Sequence, residues 1–374
     1  MKLATRETPV TRLESFGQDV WLDYIDRQLI RSGYLRQLIE EDGLSGIAYN
    51  VEAYRRAVQQ TGDYDEQIRR LHREGRGPEQ IRTEIVLEDV RQALDLFRPL
   101  YDDSQGLRGL VSVGLSPHIA RDAGKTVNQA RQIWKQVGRP NLMIEIPATG
   151  QCLSAIRQCI REGINVNVTL LTGLPRYTIV MEKYIRGLEQ RSSDGKDVHS
   201  VRSVASWFVS RLDRHVDPLL EKIMLGGPYA QIAEELHGQS GVMSAKVAYQ
   251  MFQEIFATRN FRRLADQGAQ PQRLLFTCTS AENSPYSDVK YADSLIAEQT
   301  VDVMTMTELQ AYRDHGNPAP RLEENPQEAS RRLARLDDME IHLDEIAEQL
   351  EREGLQRFVQ SYDALIDAIK RKSV

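Results

Sequence analysis

The sequence predicts an α/β fold, a closed (β/α)8 TIM barrel with extra helices after the second strand and at the C-terminus. Three observations lead there. Eight short runs rich in aliphatic and β-branched residues recur along the 374 residues. Each is followed by amphipathic helical sequence, so strand and crossover helix alternate eight times. The first run, QDVWLDYIDRQ, opens into no glycine-rich loop, which argues against an open dinucleotide-binding sheet.

The expected strands are 18–24, 44–50, 107–115, 141–146, 164–171, 201–209, 273–280 and 301–306. Helical spacing of apolar residues fills 126–137, 151–162, 176–191 and 245–257. The gap between the second and third strands is long. Residues 55–100, rich in Arg, Glu and Gln, read as a helical insertion at the side or top of the barrel. Two more helices, about 326–350 and 355–371, carry an apolar stripe of Leu343, Ile346, Leu350, Leu355, Phe358, Tyr362 and Leu365. That stripe packs across the barrel or serves a homodimer. With no repeat and no low-complexity linker, residues 1–374 read as one elaborated domain.

Composition narrows the partners. The net charge of −6 is spread in both signs along helices, which disfavours nucleic acid. No run of eighteen apolar residues and no signal-peptide core occurs, so no membrane partner is expected and a cytoplasmic address follows. Cys152, Cys159 and Cys278 lack metal-ligand spacing and read as buried free thiols. His118 and His199 read as surface residues.

In such a barrel the side chains at the C-terminal ends of the strands line the site. In chain order these are Asp23, Asn50, Gly114, Glu145, Asn167 with Thr169, Ser206 with Phe208, and Ser280 with Glu282. One polar group in an apolar strand is usually a satisfied core group; several at one depth point to a small-molecule site.

The stretches PNLMIEIPAT, EGINVNVTLL, SVASWFVSRLDRHVD, AKVAYQMFQEIF, GAQPQRLLF, PYSDVKYADSLI, AYRDHG and EREGLQRFVQSYDAL together resemble a transaldolase of the longer bacterial type over nearly the whole chain. The resemblance implies a barrel descended from enzymes that move a dihydroxyacetone unit between sugar phosphates. Asp23 corresponds to the first-strand aspartate and Asn50 to the asparagine of a Thr-Ser-Asn-Pro motif that here reads Ala48-Tyr49-Asn50-Val51. Asn167 and Thr169 match the pair that orients substrate and water. Ser206, Phe208 and Arg211 match a Ser-x-Phe-x-x-Arg segment whose arginine binds phosphate. The family's Schiff-base lysine falls at Glu145, its third-strand glutamate at Gly114, and a phosphate-holding cation at Glu282.

A carboxylate can form neither carbinolamine nor iminium, so imine chemistry at position 145 is excluded. The neighbouring lysines in sequence, Lys135 and Lys183, fall on helices. With Arg211 as the main cation, a phosphate would face Asp23, Glu145 and Glu282, each contact costing roughly 4 kcal/mol at about 4 Å and an effective dielectric of about 20. The expectation is therefore a substrate other than a sugar phosphate. On it Glu145 and Asp23 would act as a coupled acid and base, in a lyase, isomerase or cyclase of specialised metabolism. Asn50, Asn167, Thr169, Ser206, Phe208, Arg211 and Glu282 would bind that substrate. The alternatives are a catalytically silent homologue kept for binding or regulation, and an inactive variant of a pentose-phosphate transaldolase. No cofactor is expected; Mg2+ or Mn2+ on Asp23, Glu145 and Glu282 is a minor reading.

Overall fold

The computed structural model describes residues 7–281 and 286–373. Its eight strands are β1 Gln18–Leu22, β2 Gly46–Ala48, β3 Leu110–Gly114, β4 Leu142–Pro147, β5 Val166–Leu171, β6 Ser203–Phe208, β7 Arg273–Thr277 and β8 Thr300–Met304. They form a closed barrel in sequence order. All pairs are parallel, and β1 closes on β8 over five partners from Gln18↔Thr300 to Leu22↔Met304. The expected TIM barrel is the observed one. Each expected strand is present and most are shortened where the chain leaves the ladder, while β4 ends one residue later and β8 starts one residue earlier than expected.

Because strand side chains alternate, every second residue points into the barrel. Trp21, Leu110, Met143, Val204, Leu275, Val301 and Val303 meet there as a packed plug. Trp21 fits because β2 supplies Gly46: a Cβ at that position would lie 2.5 Å from the indole. Below the plug Asp19 is held by Arg273 at 2.7 Å and Arg108 at 3.0 Å. One step above it the same period brings Asp23, Gly114, Glu145, Ser206 and Thr277 into an open cavity. Glu145 sits in an apolar strand because its side chain emerges just above the plug.

Between β2 and β3 the chain forms helices Val51–Gln60, Asp65–Arg73 and Pro78–Asp103. Buried Asp89 ties them together. Its Oδ1 accepts from Arg27 Nε at 3.1 Å, and its Oδ2 accepts from the Tyr54 and Tyr64 hydroxyls at 2.8 and 2.9 Å. The Arg27 guanidinium also lies 4.4 Å from the Tyr64 ring centre.

At the other end come Pro326–Ala334 and a 30-residue helix, Leu343–Lys372. The break between them falls at 335–342, and the last helix runs unbroken through Gly354. This glycine marks a close approach: a Cβ there would sit 2.7 Å from Leu170 Cδ2. Leu355 and the half-buried Phe358 pack against Leu170 and Phe208 at the barrel mouth. Lys372 Nζ donates to Thr61 O at 2.7 Å and pairs with Asp65 at 2.6 Å, fastening the helix to the insertion. Among the described residues no helix is long and apolar enough to cross a membrane.

Asp89→Ala strips a buried guanidinium and two buried hydroxyls of their acceptor. It should lower the unfolding free energy by about 3 kcal/mol or more, read from urea melts. A loss under about 1 kcal/mol would show that the insertion is held by apolar packing alone.

Candidate active site at the barrel mouth

The cavity above the plug has a volume of about 880 Å³ and opens under the terminal helix. Asp23, Asn50, Gly114, Glu145, Asn167, Thr169, Ser206, Phe208, Arg211 and Ser280 all line it. Glu282 lies outside the described residues. Asn50 also caps the helix Val51–Gln60: its Oδ1 accepts from the Glu52 and Ala53 amides. Its Nδ2 donates to Asp23 Oδ2 at 2.9 Å, so one side chain orients both the helix and the carboxyl group. Asn167 is fixed from both sides, donating to Ser112 Oγ at 3.0 Å and accepting from Ser206 Oγ at 2.6 Å.

Glu145 stands beside Gly114 on β3 and Asn167 on β5. Removal from bulk water pushes its carboxyl up to about 7; a hydrogen bond with Thr169 pulls it back and the charge of Asp23 adds to the rise. Asp23 is likewise pushed up to about 7 by burial, with Asn50 and Arg211 opposing. No side chain fills the space before Gly114, where a Cβ would meet nothing within 4 Å.

One further carboxyl belongs to this floor, and another is buried behind it. Glu308 lines the cavity from the first turn of Met306–His315 and is pushed up to about 7, chiefly by burial. Ser280 Oγ donates to its Oε2 at 3.0 Å. Asp302 on β8 is raised well above the usual carboxylate range by burial and by Glu308; Thr279 donates to its Oδ1 at 3.1 Å. Asp302 carries the same sequence signal as Glu145, a carboxylate in an apolar strand. Glu308 hides in the capping box Thr305-Met306-Thr307-Glu308, which reads as an ordinary helix start.

Five arginines line the cavity: Arg56, Arg82, Arg211, Arg214 and Arg357; among the described residues no lysine does. Arg211 rests on the Phe208 ring at 5.1 Å and donates Nε–H to Cys278 Sγ at 3.2 Å. Cys278 is thus a half-exposed cavity residue, whereas Cys152 and Cys159 are buried; all three are free thiols. Arg357 comes from the terminal helix. Burial and the neighbouring charges of Arg211 and Arg214 hold it below the usual guanidinium range. Three guanidinium groups converging on one wall repel each other and invite an anion. Among the described residues no group of three or more His, Cys, Asp or Glu side chains is arranged to hold a metal ion.

The profile of the Transaldolase/Fructose-6-phosphate aldolase family matches residues 20–369. Proteins named transaldolase are similar over almost the full length. The Thiobacillus denitrificans protein is 38% identical, covering 94% of this chain and 97% of its own. The Parafrankia protein is 39% identical, covering 97% and 98%. The Saccharopolyspora erythraea protein is 36% identical, covering 98% of each.

These relatives overturn the expectation of a repurposed acid–base lyase, isomerase or cyclase acting on something other than a sugar phosphate. The physical reason lies in the charge count. It set one arginine against three carboxylates, whereas Arg82, Arg214 and Arg357 also line the cavity beside Arg211, and Asp23 and Glu145, raised to about 7 by burial, are not fully ionised near neutral pH.

The raised carboxyls have a consequence for stability. Asp23 and Glu145 rise from 3.8 and 4.5 to about 7 in the fold, so between roughly pH 4 and 7 the native chain holds more protons than the unfolded one. Their contribution therefore falls as pH rises through that window and levels off above it. Glu145→Gln should raise the unfolding free energy at pH 8 by on the order of 3 kcal/mol and leave it near wild type at pH 4. Urea melts at the two pH values measure this; equal effects at both would contradict it.

Proposed function

The chain belongs to the transaldolase and fructose-6-phosphate aldolase family, and we propose that it is a member that binds a sugar phosphate at the barrel mouth without forming an imine with it. The observation that carries the reading is the convergence of Arg211, Arg214 and Arg357 on one wall of the cavity. A phosphate there relieves the mutual repulsion of the guanidinium groups. Phe208 holds Arg211 in place by stacking.

The floor supplies partners for the sugar. Asp23 with Asn50, Glu145 with Thr169, and Asn167 with Ser206 are arranged to meet hydroxyl and carbonyl groups, the carboxyls serving as donors while protonated. Glu145 stands where the family resemblance puts the Schiff-base lysine. With no lysine among the described lining residues, no amine is at hand for a carbinolamine. This favours a binding homologue, or a form of the enzyme silent in imine chemistry. Residues 1–374 act as one domain in this reading, with the insertion and terminal helices forming part of the mouth.

Calorimetric titration with fructose 6-phosphate tests it. The wild type should bind, and Arg211→Ala or Arg357→Ala should each weaken binding about tenfold or more. Borohydride added with the ketose phosphate should leave no covalent adduct on the wild type, while Glu145→Lys should gain one, read by mass spectrometry. A borohydride-stable adduct on the wild-type chain would overturn the absence of an imine.

A further inference from the structure

Arg82, on the insertion helix Pro78–Asp103, is 3% exposed yet lines the cavity. Its guanidinium lies over the Tyr362 ring at 4.6 Å. Among the described residues no carboxylate comes within ion-pair distance of it, and its Nε is buried without a hydrogen-bond partner. The carboxylate nearest in influence is Glu79, which accepts from the Tyr362 hydroxyl and does not line the cavity. Beside Arg82 stands Tyr49, buried just past the end of β2 and also lining the cavity; its hydroxyl is the guanidinium's neighbour and makes no well-formed hydrogen bond with any other group. A buried guanidinium without a counter-ion costs several kcal/mol. The adjacent Tyr49 hydroxyl is neutral and supplies no counter-charge. An anion reaching the pair through the cavity meets the charge of Arg82 and can accept from both side chains.

Their place in the barrel says where that anion sits. In the closed ring of eight strands, β2 and β3 lie across from β6 and β7. Arg82 and Tyr49 belong to the β2–β3 side, and Arg211 and Cys278 to the β6–β7 side. Opposite strand backbones of an eight-stranded barrel are roughly 15 Å apart. The space before Gly114, on the β3 side, is open.

We propose that Arg82 and Tyr49 form a second anion subsite, so that the ligand carries a phosphate at each end, the chemistry of a sugar bisphosphate. This rests on the reading that one phosphate sits against Arg211, Arg214 and Arg357. The carboxyl floor between the two basic walls then faces the hydroxyl-bearing middle of the chain.

The test compares fructose 1,6-bisphosphate with fructose 6-phosphate on the full chain by calorimetry. The wild type should bind the bisphosphate about tenfold or more tighter. Arg82→Met should bring the two affinities close together, Tyr49→Phe should cut the ratio severalfold, and Arg357→Ala should weaken both ligands alike. Circular dichroism and thermal melts check folding; if Arg82→Met does not fold, the Tyr49→Phe ratio decides. Equal affinities in the wild type, or a ratio that survives the variants, overturns the second subsite while leaving the monophosphate reading intact. No binding of either sugar overturns both.

Discussion

Three carboxyl groups, Asp23, Glu145 and Glu308, sit at the head of a barrel with no ammonium group among the described lining residues, with Asp302 buried behind Glu308, and the character of the mouth follows from that constraint. Burial is the largest influence on each, and each is pushed upward. A carboxyl that keeps its proton offers a hydrogen-bond donor and an acceptor and little charge. The arginines around the rim are therefore only partly neutralised from below. A floor of fully ionised carboxylates would neutralise much of the positive field at the rim; a floor that keeps part of its protons near neutral pH leaves more of that field available to an anion.

The division between floor and rim comes from the chain's geometry. Acidic and amide groups of the floor sit mostly on strands, where the two-residue period sets their depth above the plug of Trp21, Leu110 and Met143. The cations come from helices: Arg82 from the insertion, Arg211 and Arg214 from the helix after β6, Arg357 from the terminal helix. Long side chains on helices reach over the strand ends from outside, so they approach the ligand at its periphery. Short polar groups on strands meet its middle.

This division also explains what could be read from the sequence. All eight strands were legible, because alternating apolar runs separated by helical spacing leave few other folds. Glu145, Asp23, Asn50 and Asn167 were legible for the same reason, since depth along a strand predicts position in the barrel. Arg82 and Arg357 were not. Each lies on a helix rich in charge, where one arginine looks like any other on a solvated face, and only tertiary packing turns it inward. Glu308 was masked by doubling as a capping residue. The charge argument against a phosphate failed at this point: it counted cations on strand ends and the segment after β6, while most of the positive charge arrives from elements distant in sequence.

The terminal helix links the two basic walls. Gly354 lets its backbone settle against Leu170, a residue held at φ 62° where β5 shifts register beside β6. A non-glycine residue in this left-handed region costs on the order of 1 kcal/mol, which the surrounding packing must offset. Arg357 and Tyr362 follow on the same rigid rod, about 7.5 Å apart along its axis. The first joins Arg211 and Arg214, and the second stacks under Arg82. A shift of the helix would move Arg357 and Tyr362 together, so each wall has one contributor on a single element pinned to the insertion at Lys372 and to the barrel at Gly354. A cavity whose charged walls are tied in this way presents a fixed span. A fixed span between two cationic groups selects ligands by the distance between their anionic groups as well as by their number.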